Sequence, residues 1–130
     1  MMGGRIAMAP SGVRELDASH EQCMSFLEIL DEADDPELPV LLQKLVGQLH
    51  RYFARRGRLM RLSRFPAAAL HEEAQRQLLA ELLPFVRSAQ RGRSALVRAY
   101  ARTGLVAWLG QQLAGMDHAL ARHLEHSGWA

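Results

Sequence analysis

The chain has 130 residues, which is enough for one domain with a hydrophobic core and too few for two. Hydrophobic residues make up 48% of it and charged residues 23%, a composition that excludes a disordered chain. The formal charge of +2 does not by itself indicate a nucleic-acid-binding protein.

The first residues precede the predicted domain. Their apolar stretch is too short for a signal peptide, and no later run approaches the roughly 18 apolar residues that cross a membrane. We therefore expect a flexible leader over residues 1–12, a single domain over 13–130, no membrane association and a cytoplasmic location. The single cysteine, Cys23, excludes an internal disulfide and any zinc site built on several cysteines.

Two helices are predicted in the first half of the domain. Asp17 is the predicted N-cap of the first, which runs to about Asp31. Acidic residues around Pro36 separate it from the second, because proline is favoured in a first helical turn. The second helix extends to about Ser63, where an Arg-Phe-Pro sequence ends it.

Three more helices are predicted in the second half. The third follows Pro66 and continues to about Gln90, and the break at 91–93 separates it from a fourth over 94–115. A short helix over 116–125 closes the chain. Long helices joined by short loops predict an all-α fold, an up-down-up-down four-helix bundle with a short C-terminal helix.

Polar residues interrupt the predicted apolar face of three helices, at comparable positions along the axis of the predicted bundle. Such groups are costly in a bundle core unless they satisfy one another or a metal. The predicted core-facing stripes are Leu45, Leu49, Tyr52, Arg56 and Met60 on the second helix, His71, Gln75, Leu78, Leu82 and Phe85 on the third, and Val97, Ala101, Trp108, Gln112 and Leu113 on the fourth.

Four short motifs occur in order along these helices. They are Asp17-Ala18-Ser19-His20, the stretch from Tyr52 to Met60 followed by Phe65-Pro66, His71-Glu72-Glu73-Ala74-Gln75, and Trp108-Leu109-Gly110-Gln111-Gln112 with Asp117 five residues later. Over about residues 13–126, this order and spacing resemble the hemerythrin family. The resemblance implies a four-helix bundle in which five histidines and two bridging carboxylates hold two non-heme irons that bind oxygen.

The resemblance also implies that this diiron site has lost most of its ligands. The seven family-equivalent positions carry His20, Tyr52, Arg56, His71, Gln75, Gln112 and Asp117. Only His20, His71 and Asp117 keep a ligand type, and a guanidinium at the centre repels a dication. We therefore expect no diiron cofactor. If any metal binds, its ligands are His20, His71, Asp117 and Tyr52, since tyrosine can bind ferric iron.

A buried Arg56 needs hydrogen-bond acceptors, because its guanidinium carries five donors and a permanent charge. Asp117 is its predicted partner inside the bundle, with the neighbouring polar side chains completing a network. In the alternative, Arg56 reaches the surface and Asp117 caps the last helix.

A second candidate region is the arginine-rich end of the second helix and the turn after it. It can bind an acidic protein surface, a nucleotide or a nucleic acid, or it is simply a solvated helix face. Its arginines are not interleaved with aromatic residues and match no nucleic-acid motif, so we do not expect nucleic acid as a partner. This arginine surface consists of Arg51, Arg55, Arg58, Arg61 and Arg64.

The sequence contains no phosphate loop, nucleophile elbow or plausible catalytic triad, so we do not expect an enzyme. The first functional hypothesis is a non-catalytic, hemerythrin-like bundle that acts as a regulatory or protein-interaction domain. The alternatives are a binder of one metal ion or small ligand in the former diiron pocket, and an oxygen or redox sensor with residual iron.

Overall fold

The computed structural model describes residues 10–128, with the exception of the Leu113 side chain. Four helices pack against each other and no strand occurs in this part of the chain, so the prediction of an all-α, four-helix fold is confirmed. The helices are α1 (Arg14–Glu32), α2 (Leu38–Ser63), α3 (Ala68–Gln90) and a fourth helical run composed of α4 (Ser94–Tyr100), a π-helix (Ala101–Leu105), α5 (Val106–Gln111), a second π-helix (Gln112–Asp117) and α6 (His118–His126).

α1 begins three residues before the predicted N-cap, so that prediction for Asp17 is wrong. Asp17 lies in the first turn, where the helix dipole favours a carboxylate. Its carboxylate accepts hydrogen bonds from the backbone N–H of Ser11 at 2.9 Å and from that of Gly12 at 3.1 Å. These contacts attach the end of the predicted leader to the helix, whereas its residues 1–9 lie outside the described residues.

The turn between α1 and α2 contains a short 3₁₀-helix, Asp35–Glu37, so α2 begins at Leu38 and not at Pro36. Glu37 accepts a hydrogen bond from the backbone N–H of Asp34 at 3.2 Å. Across the bundle, the guanidinium of Arg98 donates to the Asp31 carbonyl at 2.8 Å and to the Asp35 carboxylate at 2.9 Å. The fourth helical run thereby satisfies carbonyl groups that the end of α1 leaves without helical partners.

α2 and α3 form a helical hairpin. α2 ends at Ser63 as predicted, Arg64 adopts a left-handed conformation with φ 55°, and α3 extends through Pro84 to Gln90. Residues from the start of α2 and the end of α3 line one groove of about 500 Å³, so the two helices run in opposite directions. Arg56 and Gln75 are each seven residues from the turn, and Met60 and His71 are each three residues from it.

The fourth helical run has no break near Gly115, contrary to the prediction of a separate last helix. Val97, Ala101 and Gln112 of its predicted stripe are buried as predicted, whereas Trp108 is not, because the π-helix before Trp108 adds a residue to a turn and rotates the following side chains. Leu105 and Leu109 are fully buried, whereas Trp108 is half-buried, with its ring 5.7 Å from that of Phe53. The Leu113 side chain, also predicted on this stripe, lies outside the described part.

The predicted stripe of α2 is confirmed in full, since all five of its residues are buried. On α3 the stripe is buried except for Phe85, which is half-buried and stacks on Tyr100 at a centroid distance of 3.8 Å. Phe85 lies where α3 meets the fourth run at the edge of the core. None of the described helices is long and apolar enough to span a membrane.

Candidate functional site

The centre of the bundle contains a fully buried ion pair. Arg56 and Asp117 are both 0% exposed, and the Arg56 Nε donates to the Asp117 Oδ1 at 3.0 Å. The Nη2 atom of Arg56 lies 3.0 Å from the same oxygen. The prediction that these two charged groups meet inside the bundle is confirmed, and the alternative in which Arg56 reaches the solvent is wrong.

Two neutral side chains complete this network. The Tyr52 hydroxyl donates to the Asp117 Oδ2, and the Arg56 Nη1 donates to the Gln112 Oε1 at 2.7 Å. Both carboxylate oxygens of Asp117 therefore accept hydrogen bonds, which is the arrangement of an ionised carboxylate. Tyr52 also packs its ring against the guanidinium, with the Arg56 Cζ 4.7 Å from the ring centroid.

Burial governs the protonation of the network. It raises the pKa of Asp117, while the Arg56 charge and the Tyr52 hydrogen bond oppose that rise. Burial and the nearby Asp117 charge also raise the pKa of Tyr52 well above its ordinary range, so Tyr52 keeps its proton and remains a donor. The network thus joins an ionised carboxylate, a neutral phenol and an amide oxygen around one cation.

The second π-helix brings Gln112 and Asp117 to the same guanidinium. Five residues of α-helix would separate their side chains by roughly 140° around the axis. The wider turn of a π-helix reduces this angle, and both residues are buried, 3% and 0% exposed. The local widening of the helix is thus what allows two polar groups of one helix to hold Arg56.

The remaining candidate residues are buried around this network without joining it directly. The His20 Nε2 lies 2.7 Å from the Leu109 carbonyl oxygen. His71 packs against Phe65 with 5.0 Å between ring centroids, and burial together with the Arg56 charge lowers the pKa of His71. The His71 Nδ1 and the Gln75 Nε2 are buried with no hydrogen-bond partner in the described part of the chain.

These residues do not fit a metal ion. His20 faces a backbone carbonyl, and Asp117 is held by a hydroxyl and a guanidinium that would repel a dication. Within residues 10–128, no three His, Cys, Asp or Glu side chains come together as a possible metal site. The proposed ligand set of His20, His71, Asp117 and Tyr52 is therefore not assembled for coordination.

The arginine surface lies outside the core, and all five of its residues are exposed. Arg55 donates to the Ser19 hydroxyl at 2.7 Å and so links α2 to α1. Leu62, an exposed apolar side chain at 50%, lies one helical turn after Arg58. Between Glu37 and Glu72 the sequence contains seven basic residues and no acidic one. The surface is therefore cationic with an apolar contact point.

Cys23 is buried, and burial raises the pKa of its thiol to about 12, against the opposing charges of Arg51 and Arg56. A protonated, inaccessible thiol is unreactive. Two C-terminal histidines contact carbonyl oxygens: the His123 Nε2 lies 2.8 Å from Ser63, and the His126 Nδ1 lies 2.7 Å from Arg122.

Sequence reasoning missed three contributors to the site. The Leu109 carbonyl holds His20, the Phe53 ring centroid lies 5.7 Å from the Arg56 Cζ, and the Met116 sulfur lies 4.0 Å from the Arg56 Nη1. Phe53 and Met116 could have been found from their positions beside Tyr52 and Asp117. No sequence signal identifies a particular backbone carbonyl.

Comparisons of this chain with protein-family models, with curated proteins and with solved structures found no match.

Proposed function

We propose that this chain is a non-catalytic bundle of the hemerythrin-like type, in which an arginine-centred network replaces the diiron site. Its role is that of a regulatory or protein-interaction domain. The observation that carries the proposal is the buried Arg56–Asp117 pair, because it fills the centre of the bundle with a permanent cation whose acceptors are Asp117 and Gln112.

The chemistry of the replaced positions supports this proposal. Tyr52, Arg56 and Gln112 stand at positions where the resemblance expects metal ligands, and all three take part in one hydrogen-bonded network. A buried ion pair of this kind adds little net stability over apolar residues. Its value lies in keeping a polar core folded without a metal, and we infer an up-down-up-down arrangement of the four helices around it.

No side chain of this network is available to act in catalysis. Asp117 accepts hydrogen bonds at both oxygens, and Tyr52 keeps its proton. We therefore assign function to the outside of the bundle. The arginine surface, with Leu62 beside Arg58, has the charge and the apolar contact that an acidic protein surface would recognise.

Iron analysis tests the first part of the proposal. The full-length chain, expressed with added iron, is expected to purify colourless and with far less than one iron per chain. A chelator should leave its melting temperature unchanged, because no metal binding is linked to folding. Two irons per chain with an oxo-diiron absorption would contradict the proposal and favour the oxygen-sensor alternative, and one bound metal would favour the single-metal alternative.

Charge reversal tests the second part. A partner captured by the full-length chain should be lost with Arg51→Glu and Arg58→Glu, because both side chains are exposed. Arg55 is left intact, since it contacts Ser19. The matched control reverses Arg87 and Arg91, two exposed arginines at the far end of α3. Equal capture by both double variants would contradict the assigned surface.

A further inference from the structure

Three buried nitrogen atoms of α2 and α3 have no hydrogen-bond partner among the described residues. They are the Arg56 Nη2, the Gln75 Nε2 and the His71 Nδ1. The Arg56 Nη2 lies close to Asp117 without the geometry of a hydrogen bond. Buried donors are rarely left in this condition, since each costs about 1–3 kcal/mol.

These nitrogens belong to neighbouring turns of one hairpin. Arg56 and Gln75 stand seven residues from the turn on α2 and α3, and His71 is one helical turn from Gln75. Burial, and after it the Arg56 charge, lowers the pKa of His71. Arg56 is fully buried, whereas Gln75 and His71 are 7% and 5% exposed, so small parts of the two α3 residues reach the solvent while the three nitrogens themselves are buried.

We infer that Arg56, Gln75 and His71 form a binding site for a small monovalent anion between α2 and α3. The Arg56 Nη2 and the Gln75 amide donate to it, and so does the His71 Nδ1 in its protonated tautomer. A water molecule would satisfy the group less well, because it must also donate two hydrogen bonds. The unpartnered buried oxygens among the described residues, Glu15 Oε1 and Ser63 Oγ, belong to other side chains.

The basic residues of α2 and of the turn after it are the source of positive charge near the site. Glu72 and Glu73 follow His71 directly, and Asp117 balances the charge of Arg56, but residues 38–71 carry six further Lys and Arg residues and no acidic one. Several of these surround the end of α2 that holds Arg56, where they produce a positive field. The site is independent of the proposed interaction role, so failure of either inference leaves the other intact.

Titration with sodium formate tests the site on the full-length chain. NMR spectra of the Gln75 side-chain amide and the His71 ring are recorded at pH 7.5, with sodium sulfate at matched ionic strength as the reference. Formate is expected to shift both sets of resonances to a plateau. Gln75→Leu should weaken binding about tenfold, as expected for the loss of one hydrogen bond. His71→Phe should also weaken it.

His50→Gln is the matched control, because His50 is an exposed histidine on α2. It should bind formate as the unmodified chain does. Shifts that grow linearly with salt, or that are equal in sulfate, would overturn the inference, and so would saturable shifts that persist in both the Gln75→Leu and the His71→Phe variants. Each of these results would mean that the three nitrogens hold a bound water only. Circular dichroism spectra confirm that each variant is folded before titration.

Discussion

Gln112 and Asp117 lie five residues apart on one helix, yet both contact the guanidinium of Arg56. The π-helix over Gln112–Asp117 makes this possible, because its wider turn brings residues at this spacing to one face. π-helices of this kind are often found at functional sites. Here the widened turn serves the network that holds a buried cation.

Deleting Gly115 should therefore be far more damaging than replacing it. The deletion rotates Asp117 by roughly 100° away from Arg56, and leaves the buried guanidinium without its anion. We expect a loss of about 3 kcal/mol or more in the free energy of unfolding. The control Gly115→Ala has open space for its Cβ and should stabilise by about 0.5–1 kcal/mol. Urea denaturation measures both, and equal stabilities would argue against a role for the π-helix.

A double-mutant cycle measures the coupling between Arg56 and Asp117. Asp117→Leu alone and Arg56→Met alone should each cost about 3–5 kcal/mol in the free energy of unfolding, because a buried charge loses its partner. Replacing both residues together, Arg56→Met with Asp117→Leu, should cost much less or even stabilise the fold. If the changes in the free energy of unfolding of the two single variants sum to the change in the double variant, the residues are not coupled as their contact indicates.

The hydroxyl of Tyr52 donates to a buried charged acceptor, so removing it should be expensive. Tyr52→Phe is expected to lower the free energy of unfolding by about 1.5–3 kcal/mol. Tyr100→Phe removes a hydroxyl that donates to the exposed Glu81, and should cost less than about 1 kcal/mol. Chemical denaturation compares the two, and a Tyr52→Phe variant no less stable than Tyr100→Phe would contradict the network.

His71 should make the fold sensitive to acid. Its folded-state pKa is lowered by burial and by Arg56, so protonation favours the unfolded chain. The stability from neutral His71 is present above the unfolded pKa of about 6.5 and is lost as the pH falls towards the folded value. In the His71→Phe variant the free energy of unfolding should fall less steeply with decreasing pH, by up to about 1.4 kcal/mol per pH unit. His126→Gln, an exposed control, should leave the decline unchanged.

Several parts of the site could be predicted from the sequence. The four-residue and three-residue steps of the α2 stripe placed Tyr52 and Arg56 in the core, and α2 is a regular helix throughout. The need of a buried guanidinium for an anion then pointed to Asp117. The periodicity of a sequence predicts the buried residues correctly where a helix keeps a constant number of residues per turn.

Other parts could not be predicted, for physical reasons. The fourth helical run changes its pitch twice, so a constant period placed Trp108 in the core where Leu109 is buried. Nothing in Ala101–Leu105 marks a π-helix in advance, since tertiary packing decides where the turn widens. Asp17 was given the wrong helical position because an acidic residue is favoured both at the N-cap and in the first turn. In the structure its carboxylate accepts from the preceding residues Ser11 and Gly12, and not from the helix that follows.

The most direct test of the central claim restores the ligands that the resemblance expects. A quadruple variant with Tyr52→His, Arg56→Glu, Gln75→His and Gln112→His would give His20, His71 and Asp117 the partners that complete a diiron set. The measurement is iron content, together with the absorption spectrum of the folded variant. If Arg56 and its network replace a diiron site, about two irons should bind per chain with an oxo-diiron absorption. A folded variant that takes up no iron would contradict the account.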